Sequence, residues 1–62
     1  MPSFCQELRQ AITNIDQAIG NLRNARALST RLTTRRILNR NINTLLAVRA
    51  SKRRLRDRRC ND

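Results

Sequence analysis

The groups in this chain that could do chemistry are 13 arginines, one lysine and two cysteines, set against four acidic residues. A guanidinium is a planar fork of donors that stays charged, and it matches a phosphate or carboxylate with two parallel hydrogen bonds. Thirteen of them in 62 residues, with a formal net charge of +10, imply a polyanion as partner. The missing residue types narrow the field further. No histidine is present for acid–base work or metal ligation, and two cysteines cannot complete a four-ligand zinc site. A single glycine, Gly20, excludes a Gly-rich phosphate loop. One phenylalanine, without tyrosine or tryptophan, gives no aromatic platform for stacked bases. The expectation is a chain that is not an enzyme and uses no cofactor and no metal.

The basic residues are segregated. Residues 1–22 hold Arg9 against Glu7 and Asp16, whereas residues 23–62 hold the other 13 cations against Asp57 and Asp62. One group, Arg23, Arg26, Arg31, Arg35, Arg36 and Arg40, lies mid-chain. The other, Arg49, Lys52, Arg53, Arg54, Arg56, Arg58 and Arg59, puts seven cations in eleven residues. Such a run repels itself and orders against an anion. The candidate nucleic-acid-binding set is this second group together with Arg35, Arg36 and Arg40. No helix-turn-helix, zinc-finger or basic-zipper pattern accompanies it, so the expected contact is with DNA or RNA phosphates, independent of sequence. The alternative partner is an acidic protein surface. The chain would then be a structural cement or minor capsid-type component of a large, even viral, assembly. An anionic membrane fits less well, because the clean apolar stripe lies on the nearly neutral part of the chain.

Elements to position these groups follow from the apolar spacing. Ser3-Phe4-Cys5-Gln6 fits the capping-box pattern and opens a helix. Phe4, Leu8, Ile12, Ile15, Ile19 and Leu22 then recur at steps of 4, 4, 3, 4 and 3, which is one face of a helix running to about residue 28. Its opposite face carries a ridge of amides, Gln6, Gln10, Asn14, Gln17, Asn21 and Asn24. That ridge is either a neutral wet face or a hydrogen-bonding contact.

Residues 28–34 hold four Ser or Thr, which favour caps and turns. The turn is placed at 29–33, with Thr33 or Thr34 capping a second helix over 34–58. Leu38, Ile42, Leu45 and Val48 supply the packing face of that helix, beside Ile37 and Leu46. Past Val48 the same sector brings up Arg49, Lys52 and Arg56, so 49–59 reads as a basic extension. The fold class is all-α, a two-helix antiparallel hairpin with an Arg-rich C-terminal extension. The alternative is one continuous helix roughly 80 Å long. So little apolar surface makes a lone hairpin marginal, so the chain should form a homo-oligomer or join a larger assembly through the Leu8/Ile12/Ile15/Ile19 and Leu38/Ile42/Leu45 stripes.

The midpoint between Cys5 and Cys60 falls inside the expected Ser/Thr turn, so a hairpin brings them together at its open end. They are either a disulfide or two free thiols. Without a recognisable signal peptide a reducing compartment is the default, and a virus particle would favour the bond. The expected location is therefore the cytoplasm or the inside of a particle. No apolar run is long enough to span a membrane.

Overall fold

The computed structural model describes residues 3–60 and contains two helices, α1 (Phe4–Leu28) and α2 (Leu32–Arg59). Helix α1 starts where the capping box places it. Gln6 N donates to Ser3 Oγ at 3.2 Å, and Ser3 N donates to Gln6 Oε1 at 3.1 Å. Two backbone donors at the helix N-terminus are thereby satisfied. Replacing Ser3 with Ala is expected to lower stability by about 1 kcal/mol. In thermal unfolding of the disulfide-bonded chain this is a fall of roughly 4–8 °C.

The chain reverses through Ser29, Thr30 and Arg31 alone, and this corrects two expectations. The turn is shorter than 29–33, and neither Thr33 nor Thr34 is an N-cap. Arg31 takes that position in extended conformation, without a side-chain cap, and Arg35 N donates to Arg31 O at 3.0 Å. Three residues suffice to turn the chain between antiparallel helices. Extending α2 back to Leu32 then gains backbone hydrogen bonds that a threonine cap would forgo. The single continuous helix is likewise overturned. The molecule measures 45 × 19 × 15 Å, about the length of one 28-residue helix at 1.5 Å per residue.

Three pairs fix the register of the hairpin. Cys5 and Cys60 are joined by a disulfide with their Cα atoms 5.7 Å apart. Arg49 Nη1 donates to Asp16 Oδ1 at 2.8 Å, and Arg26 Nη1 donates to Asn39 Oδ1 at 2.8 Å. In each pair the residue numbers add to 65. Every step along α1 is therefore matched by one step back along α2, without slippage.

The seam between the helices buries Leu8, Ile12, Ile19, Ile42 and Cys60. Ile15, Leu22, Leu38, Leu45, Leu46 and Leu55 are half-buried beside it. The apolar stripes expected to drive association are thus largely used within the chain. Two expected packing residues are not in the seam. Phe4 and Val48 are 49% and 37% exposed. Cys5, Leu8, Ile12, Ile15 and Ile19 carry the 3-4 spacing that faces α2, and Phe4 sits one residue off it. On α2 the corresponding spacing runs from Leu45 to Arg49, which leaves Val48 on the flank.

Candidate nucleic-acid interface

The seam on α2 continues as Leu38, Ile42, Leu45, Arg49, Lys52 and Arg56, at steps of 4, 3, 4, 3 and 4. Its second half is cationic where a hairpin would ordinarily be apolar. The side chains of Arg49 and Arg56 are 24% and 37% exposed, and Lys52 is half-buried. Their aliphatic stems lie along the seam while the charged heads reach its rim. Asp16 meets two heads there, Arg49 at 2.8 Å and Arg53 at 3.8 Å. Asp57 Oδ1 accepts from Arg56 at 3.3 Å. Arg9, absent from the expected set, donates from Nη2 to the Cys60 carbonyl at 3.4 Å and helps to close the open end.

The ten expected cations are therefore not one patch. Arg49, Lys52 and Arg56 turn toward α1, Arg35 and Arg53 share one flank, and Arg59 projects from the other. Arg36, Arg40, Arg54 and Arg58 do come together, along the outer edge of α2, and all four are exposed. Arg54 follows Arg36, and Arg58 follows Arg40, by 18 residues, which is five whole turns. Each i,i+4 pair spans about 6 Å along the axis, and the two pairs lie about 27 Å apart. Asn43, Ala47, Ala50 and Ser51 lie between them, small and exposed, so nothing shields the edge. A shallow depression lined by Arg54, Asp57 and Arg58 marks its C-terminal end.

Of the 14 basic side chains, Arg49, Arg53 and Arg56 have a carboxylate partner. The other eleven have none among the described residues. Replacing Asp16 with Asn is expected to release Arg49 and Arg53 with little loss of stability, because exposed pairs are worth about 0–1 kcal/mol. If both freed heads reach phosphate, the salt dependence of nucleic-acid binding should steepen by about two units. A titration across salt concentrations checks this.

The amide ridge occupies the outer edge of α1, the far side of the hairpin from the Arg edge. All six residues are exposed, and Gln10 Nε2 donates to Asn14 Oδ1 at 3.0 Å. No cluster of His, Cys, Asp or Glu among the described residues could hold a metal ion. No helix among them is long and apolar enough to cross a membrane. Comparisons with protein-family models, curated proteins and solved structures find no match to this chain.

Proposed function

We propose that the chain is a non-enzymatic nucleic-acid-binding protein that grips phosphates without reading sequence, using the outer edge of α2. The observation that carries this reading is the stacked pair of pairs, Arg36/Arg40 and Arg54/Arg58, exposed and without carboxylate partners among the described residues. Arginine is the side chain best shaped for a phosphate, and a rigid helix keeps four of them on one line. The remaining exposed cations, Arg35 and Arg53 foremost, widen the field around that line. Nothing along the edge offers the aromatic or helix-in-groove pattern that base reading requires.

The experiment is fluorescence anisotropy with two duplexes of unrelated sequence and one RNA hairpin. The expected result is equal affinity for the two duplexes and a slope of log K against log salt of roughly −5 to −7, for six to eight neutralised phosphates. A flat salt dependence, or no binding, would return the chain to the alternative role of docking its arginines on an acidic protein surface.

A further inference from the structure

One broad side of the hairpin has no partner in the monomer. On α1, Ala11, Ala18 and Ala25 repeat at seven residues, so they form a straight column of small side chains beside half-buried Ile15 and Leu22. On α2, Asn41, Val48 and Leu55 repeat at seven residues on the same side of the seam, with Ile37 one turn before Asn41. Ile37 is 60% exposed and Val48 37%. Both columns lie on one face because the helices are antiparallel and each column is displaced from the seam in the same sense.

We infer that this face binds a second copy of the chain, the two hairpins stacking into a four-helix assembly about a two-fold axis parallel to the helices. Three observations favour a second copy over another occupant. The first is shape. Such an axis sets α2 of one copy over α1 of the other at unchanged height. The constant register of the hairpin then brings Val48 within one residue, about 1.5 Å along the axis, of Ala18 of the second copy, and likewise Leu55 of its Ala11 and Asn41 of its Ala25. Large or polar side chains meet a column of alanines, which lets the helices approach closely.

The second is charge. In a chain of net charge +10, this face carries Arg59 and Glu7, with half-buried Lys52 at the seam between its two helices. A polyanion has no reason to settle there, and like-charge repulsion between copies is smallest there. Glu7 has no basic partner among the described residues of its own chain. The same axis brings Arg59 within one residue of the height of Glu7 of the second copy. The third is area. A side of 45 × 19 Å offers about 850 Å², close to the roughly 800 Å² per partner of a standard interface. Stacking leaves the Arg edges of both copies on the outside, so the inference does not depend on the nucleic-acid reading.

Sedimentation equilibrium of the disulfide-bonded chain without nucleic acid tests it, comparing wild type, Val48→Lys and Ala47→Lys. Val48 lies on the face, whereas its neighbour Ala47 lies on the exposed outer edge. The expected masses are about 14 kDa for wild type and Ala47→Lys, twice the 7.2 kDa of the chain, with Val48→Lys falling to the single-chain mass. Burying an uncompensated ammonium should weaken the dimer at least about 100-fold. Ala47→Lys controls for the added charge, so the comparison holds even if the Val48→Lys monomer loses helix. A wild-type mass of one chain at every concentration overturns the inference, as does equal behaviour of the two variants.

Discussion

Reduction of the Cys5–Cys60 disulfide is expected to melt the open end of the hairpin. The reason lies in what the seam is made of there. Between Val48 and Cys60 the positions that face α1 are Arg49, Lys52 and Arg56, with Leu55 the one large apolar side chain. Against them α1 sets Leu8 and Ile12, which cluster with Cys60, Cys5 and Leu55. The bond therefore stands at the centre of the small core it helps to define. It closes a loop of almost the whole chain, and the loop-entropy account gives about 4 kcal/mol for that length. A chain of this size has roughly 3–9 kcal/mol of stability in total. Thermal unfolding with and without a phosphine reductant should differ by tens of degrees, and a Cys5→Ser/Cys60→Ser chain should match the reduced protein. An unchanged melting temperature on reduction would show that residues 49–59 are held by contacts other than the Cys5–Cys60 bond and the core around it.

Replacing Ile19 or Ile42 with Asp is expected to remove the fold. Each is only 2% exposed, one on each helix, and by the register of the hairpin they lie about one turn apart along the seam. A carboxylate there loses the water that stabilises its charge. A penalty of about 4 kcal/mol or more is diagnostic of this kind of defect, and it is of the size of the whole stability. The control is Leu32→Asp. Leu32 is 62% exposed at the first position of α2, where a negative charge suits the helix dipole. That variant should keep its helix content by circular dichroism. A well-folded Ile42→Asp chain would contradict the seam.

The hairpin was legible because two independent signals agreed. The 3-4 apolar spacing marks both helices, and the cysteines are symmetric about a Ser/Thr-rich stretch. That symmetry also contained the register. Pairing residues 5 and 60 implies pairing 16 with 49 and 26 with 39, so the Asp16–Arg49 and Arg26–Asn39 contacts could have been read in advance. The exact turn was harder to read, since threonine is as acceptable inside the first turn of a helix as at its cap, and the balance is set by backbone hydrogen bonds of the reversal. Phe4 and Val48 were misplaced for a related reason. On a helix in isolation a wide apolar sector looks uniform, and only the position of the partner helix divides it into seam and flank. The candidate site was legible as composition and not as geometry. Seven cations in eleven residues wrap all sides of a helix, and the edge emerges only once α1 has claimed Arg49, Lys52 and Arg56.

The central claim is that phosphate binding belongs to one edge of the hairpin and not to its charge as a whole. Two variants with equal charge loss separate these. One replaces Arg36, Arg40, Arg54 and Arg58 with Gln, and the other replaces Arg9, Arg23, Arg26 and Arg31 with Gln, so each removes four of the 14 basic groups. The salt dependence of duplex binding is measured for both, with helix content checked beforehand. The edge variant should lose about four units of slope, the second variant no more than about one. Equal losses in the two would mean that only net charge matters, and would contradict the claim.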